Sequence, residues 1–164
     1  MPKWILQVRK RLKGAERIAL IGVGSELRGD DAAGMLVAKA LSKLKTAKPK
    51  KFRVFFGSNA PENITGQIKK FNPTHVVIID AVQMDKSSGS ISIFCTEDGS
   101  CASGFSTHKM PIRLMLEYLR ASLGCQAFII GIQPQMTEFC AIPSRSILMA
   151  VDEVSRGLEE LVRC

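Results

Sequence analysis

The chain has 164 residues, 23 Lys and Arg against 15 Asp and Glu, and five cysteines. That length suits a single domain over residues 1–164 and lets a chain bury roughly 70% of its unfolded surface, so no disulfide framework or structural metal is needed to hold a core. A hydrophobic content of 46% with 23% charged residues excludes a disordered, collagen-like or coiled-coil chain. The net charge of +8 attracts polyanions, so nucleic acid is a reading to weigh against a solvated lysine face. Much of the excess lies between Lys39 and Arg53, with Lys43, Lys45, Lys48, Lys50 and Lys51. No aromatic interrupts that run before Phe52, and the chain holds one Trp and one Tyr, so stacking platforms for bases are scarce.

The N-terminal stretch is basic and places Trp4, Ile5, Val8 and Leu12 at helical spacing, unlike the apolar core of a signal peptide. No apolar run approaches the ~20 residues that cross a bilayer. Cys95, Cys101, Cys125, Cys140 and Cys164 are odd in number and form no C-x-x-C pair, which argues against a zinc ribbon or a thioredoxin-type site. A soluble, cytoplasmic protein is expected.

Strand and helix patterns then alternate. Ile18 to Val23 is an apolar run closed by Gly24, a buried strand. From Asp31 to Leu44, Ala33, Leu36, Val37, Ala40, Leu41 and Leu44 form a helical stripe. Phe52 to Phe56 reads as a second strand, and Pro61 to Phe71 as a weaker helix with Gly66 inside it. His75 to Ile79 is β-branched and uninterrupted, the strongest strand signal. Ile91 to Phe94 alternates as a half-buried strand, antiparallel in expectation. Residues 97–106 read as a polar loop. Pro111 opens a helix that runs to Leu123, where Gly124 ends it. Gln126 to Ile132 is a buried strand and Ser144 to Val162 a long amphipathic helix. The order predicts an open, mostly parallel α/β sheet with helices on both faces.

In such sheets ligands bind beyond the carboxyl ends of the strands. The first exit, Gly22-Val23-Gly24-Ser25-Glu26-Leu27-Arg28-Gly29-Asp30-Asp31, fails the dinucleotide pattern because Leu27 stands where the third Gly belongs. Asp30 and Asp31 would also repel a pyrophosphate. One Asp suffices to cap a helix, so a second beside it fits a cation site as well as a cap. Asp80 stands at the mouth of the central strand, and His108 precedes the Pro111 helix. His75 falls at the opposite edge and reads as structural. Asp31, Asp80 and His108 together suit a borderline divalent metal such as zinc or nickel, with positions left for water or substrate. A Ser-His-Asp use of His108 lacks a G-x-S-x-G elbow. Nothing indicates a lowered thiol pKa at Cys101.

Five segments in order carry a resemblance: Gly22-Val23-Gly24-Ser25 with Gly29-Asp30-Asp31-Ala32-Ala33-Gly34, Gly57-Ser58-Asn59-Ala60-Pro61-Glu62-Asn63, Ile79-Asp80-Ala81, Thr107-His108-Lys109-Met110-Pro111, and Gly131-Ile132-Gln133-Pro134. Together they resemble the nickel–iron hydrogenase maturation endopeptidases, most closely the hydrogenase-3 type. The resemblance implies a three-layer fold with a twisted five-stranded sheet flanked by helices. It implies removal of a C-terminal extension from the hydrogenase large-subunit precursor after nickel insertion. It also matches Asp31, Asp80 and His108 to the family's metal-contacting positions, with nickel supplied by the precursor. The chain departs from the family at Ser25, where Asn is frequent, and at Ala32, where Gly is frequent. Three other readings stay open: a non-hydrolytic nickel-checking chaperone of the same fold, a basic nucleic-acid binder, and an unrelated α/β hydrolase.

Overall fold

The computed structural model describes residues 1–44, 51–95 and 110–163. The apolar runs become β1 (Ile18–Val23), β2 (Phe52–Ser58), β3 (His75–Ala81), β4 (Ile91–Cys95) and β5 (Gln126–Ile132). They form one sheet in the order β2-β1-β3-β5-β4. The first four in that order run parallel, and β4 pairs antiparallel with β5. The helices are α1 (Lys3–Arg11), α2 (Ala33–Ser42), α3 (Thr65–Phe71), α4 (Met110–Leu123) and α5 (Arg145–Arg163). Among the described residues, no helix is long and apolar enough to cross a membrane.

Side-chain alternation along the strands divides the core in two. Leu20, Val77, Ile79, Phe128 and Ile130 face a cluster built with α1, α2 and α5. Ala19, Ile21, Val76, Ile78 and Ile129 face the other, built with Ile68 of α3 and with Ile112, Met115, Leu116 and Leu119 of α4. On α1 and α5 the expected stripe supplies the buried side chains Trp4, Ile5 and Val8, and Ile147, Val154 and Leu158; on α2 Ala40 is exposed, and Met35 and Ala38 are buried beside Ala33, Val37 and Leu41. The buried indole of Trp4 donates its N–H to Glu153 at 2.7 Å, tying α1 to α5.

Two predicted helices prove shorter. Gly29–Ala32 and Pro61–Ile64 are 3-10 turns, so α2 and α3 begin at Ala33 and Thr65. The tighter winding lets each chain leave its strand and turn sharply onto the sheet. The polar stretch 97–106 and His108 lie outside the described residues, as do Lys45, Lys48 and Lys50 of the basic run. Lys39, at the start of that run, pairs with Glu26.

His75 opens β3 at the amino edge of the sheet and is buried, as expected. Its ring Nδ1 meets the Thr74 hydroxyl at 3.0 Å. Burial pushes its pKa down, opposed by the Arg11 carbonyl.

Candidate active site

β1 leads through α2 to β2 on one side, while β3 leads on to the far half of the sheet, so the order reverses between β1 and β3. That crevice is where an open α/β sheet presents its ligand site. Four of the five sequence segments converge on this edge, at the exits of β1, β2, β3 and β5. The fifth, apart from the start of α4, lies outside the described residues.

Asp31 sits in the 3-10 turn after β1. Its Oδ2 accepts the Ser25 N–H at 2.8 Å, which orients the carboxylate back toward the strand exit. Ser25 keeps a polar role of its own, since its Oγ accepts the Leu27 N–H at 3.3 Å. Gly24 makes this loop possible. Its φ is +127°, and a Cβ there would lie 1.9 Å from the Asp31 carbonyl oxygen. Gly34 brings the start of α2 onto both strands, because a Cβ would lie 2.1 Å from the Ile79 oxygen and 2.4 Å from the Val23 oxygen. The turn carrying Asp31 is thereby seated beside the residue that precedes Asp80.

Asp80 is the sixth residue of β3, paired with Gly131 of β5, and is fully buried. A buried carboxylate costs free energy unless charge or hydrogen bonds compensate it, so packing alone does not favour Asp at this place. Asp31 and Asp80 thus share the crevice edge. No three His, Cys, Asp or Glu side chains converge as a metal group among the described residues, and His108 is not among them.

Asp30 corrects the capping reading of the acid pair. Neither Asp caps α2, whose first turn receives no side-chain cap. Asp30 is fully buried and accepts four hydrogen bonds from the far end of the chain. Oδ2 takes the N–H groups of Gln135 (2.7 Å) and Met136 (3.1 Å) and the Ser144 hydroxyl (2.8 Å), and Oδ1 takes the Ser144 N–H (2.6 Å). Burial alone would push its carboxyl pKa up. The hydrogen bonds from Ser144, Gln135 and Met136 outweigh that and hold it below the usual value. Asp30 is therefore a brace across the molecule, whereas Asp31 turns back to the strand exit.

Gln133 is a second brace. Its side chain is buried, its Oε1 accepts the Met84 N–H at 2.7 Å, and its Nε2 donates to Gln83 Oε1 at 3.0 Å. It thereby fixes the exit of β3 against that of β5. Ser58, Asp85 and Cys140 all take positive φ at this edge, a local strain that accompanies functional loops.

The rim of the site is apolar. Residues 27–31 are laced to 136–141 by backbone bonds, including Cys140 N–H to the Leu27 carbonyl at 2.8 Å and Asp30 N–H to the Met136 carbonyl at 2.8 Å. Leu27, Met136, Phe139 and Ile142 stand exposed on this lacing, Ile142 by 84%. The Arg28 guanidinium lies 5.9 Å from the centre of the Phe139 ring. A concentration of exposed apolar side chains of this kind marks a surface that meets another protein.

Comparison with known proteins agrees with this arrangement. The family model described as hydrogenase maturation protease matches residues 35–160. The hydrogenase 3 maturation protease of Escherichia coli K12 is 33% identical over 141 residues, covering 85% of this chain and 87% of that one. The crystal structure of the [NiFe] hydrogenase maturation protease HycI from Thermococcus kodakarensis superposes with a TM-score of 0.84 at 28% identity, covering 96% of this chain and 99% of that chain. The solution structure of the endopeptidase HycI from Escherichia coli gives 0.77 at 32% identity over 88% and 90% of the two chains. The sheet with a reversal point between β1 and β3, the acids at its exits and these similarities make this chain a member of the hydrogenase maturation protease family.

Proposed function

We propose that this chain removes the C-terminal extension of a nickel–iron hydrogenase large-subunit precursor after nickel insertion, with Asp31, Asp80 and His108 as the working residues. The observation that carries the reading is the pair Asp31 and Asp80 on adjoining strand exits at the reversal point of the sheet, in a chain of this family. Two carboxylates with one imidazole suit a borderline divalent cation and do not fill its coordination shell. That donor set fits nickel carried in by the precursor as part of the substrate. Nickel would serve as the signal that the precursor is ready, and it would hold the scissile bond against the crevice.

Hydrolysis adds the oxygen of water to the peptide carbonyl carbon and a proton to the departing nitrogen. A carboxylate at this edge would act as base toward that water, and nickel held by Asp31, Asp80 and His108 would supply Lewis-acid activation. The N–H of Ser25 keeps Asp31 aimed, and the Asp30 and Gln133 braces keep the exits from spreading. The exposed Leu27, Met136, Phe139 and Ile142 favour a protein substrate over a small molecule.

The test is incubation with nickel-loaded and nickel-free precursor, reading product mass. Cleavage of the loaded form alone is expected. Asp31→Ala, Asp80→Ala and His108→Ala should each lower the rate by about 100-fold or more. Equal trimming of nickel-free precursor would remove the gating role of the metal. Binding of loaded precursor without any cleavage would turn the reading into that of a nickel-checking chaperone.

A further inference from the structure

A second concavity lies at the other edge of the sheet. A groove of about 750 Å³ opens between α1, the starts of β1 and β2 and the end of α5. That volume is within the usual ~300–1,000 Å³ of ligand-binding clefts. Leu12, Ile18, Phe52 and Leu161 form its floor and belong to or pack against the adjoining core cluster. Leu6 stands in the lining with 51% of its surface exposed.

Cations ring this floor. Arg9, Lys10 and Lys13 come from α1 and the turn after it, and Lys51 immediately precedes β2. All four are exposed, and none takes part in an ion pair among the described residues. Glu16 is the only acid among the described lining residues, and its carboxylate lies 3.9 Å from Arg17. Four unpaired cations of one sign around an aliphatic floor are complementary to apolar side chains flanked by carboxylates.

We propose that this groove docks an acidic amphipathic peptide segment of a protein partner. A nucleic acid would satisfy the cations but not the floor, whose one aromatic, Phe52, is buried and offers no face for a base. A bilayer is flat at this scale and cannot enter a concavity with a single exposed aliphatic side chain at its mouth. A helix with leucines on one face and carboxylates along its flanks fits both features. The six residues of β1 separate the groove from the Asp31 edge, about 20 Å at ~3.3 Å per residue. A partner seated there leaves the crevice open. The groove is thus a second contact, independent of peptide-bond cleavage.

The test uses the full chain and a fluorescein-labelled helical peptide of about 18 residues, five turns, with Leu at i, i+3, i+4 and i+7 and Glu on the flanks. Anisotropy should report binding that weakens as salt rises from ~50 to ~500 mM. The double variant Lys10→Glu with Lys13→Glu should weaken it by about tenfold or more. Leu6→Ser should weaken it about threefold while the thermal midpoint stays unchanged, since Leu6 is exposed. Amide chemical shifts should move at Leu12, Ile18 and Phe52. Absence of binding, equal binding of the same peptide with Lys in place of Glu, or shifts confined to other surfaces would overturn the proposal. Sedimentation with phosphatidylglycerol vesicles that is lost in the same double variant would overturn it in favour of a membrane surface. Retention of labelled single-stranded DNA through the same residues would overturn it in favour of nucleic acid.

Discussion

Two adjacent aspartates divide their work by direction. Asp31 turns back to the Ser25 N–H, and Asp30 turns across the molecule to residues 135, 136 and 144. Asp30→Ala would leave three backbone N–H groups and a hydroxyl without their acceptor in a buried place. It should cost about 3 kcal/mol, measured by denaturant titration, and should loosen the 135–144 loop in hydrogen exchange. The sequence made the acid pair visible and did not separate its members. The bonding partners of Asp30 lie more than a hundred positions away, where no local pattern reaches. Ser144 was legible only as the first residue of a helix, which in the structure begins one residue later. Gln133 was legible only inside a family-like segment. Asp80 stood out because an acid follows the uninterrupted apolar residues Val76, Val77, Ile78 and Ile79.

At the scale of elements, periodicity performed well wherever burial was continuous. β1 and β5 begin and end where their apolar runs do. The helix expected over Asp31 to Leu44 fared worse: Asp31 and Ala32 belong to the 3-10 turn, and α2 covers only Ala33–Ser42. Asp30 and Asp31 are held by long-range and return bonds that favour the tighter turn. Gly34 then sets how closely α2 approaches the sheet. Gly34→Ala would press a methyl into the backbone oxygens of Ile79 and Val23. A loss of roughly 3 kcal/mol is expected, with processing impaired even at temperatures where the variant stays folded. Urea unfolding and a precursor-cleavage assay on the same preparation check this. Native-like stability in this variant would mean that α2 can shift, and that Asp31 tolerates the shift.

For the whole molecule, two buried groups give stability a slope in acid. Burial lowers the pKa of His75 from 6.5, so its contribution is complete above that value and declines as pH falls below it toward the folded pKa. Hydrogen bonds lower Asp30 from 3.8, so its contribution holds above that value and is lost as pH falls through the folded pKa. Chemical denaturation between about pH 8 and pH 3 should show both limbs, and His75→Asn should flatten the upper one. The net charge of +8, the first feature that set this chain apart, reads differently on the fold. Part of it rings a groove remote from the crevice, while the acids Asp31 and Asp80 stand at the strand exits. The bonds from Asp30 to Gln135, Met136 and Ser144 carry one more consequence, for the order of events during synthesis. The ribosome releases β1 and its acids long before the loop after β5. Until that loop arrives, the crevice lacks the strip of chain that closes its rim. A growing chain therefore reaches the braced form of this edge only after residues 135–144 have been made.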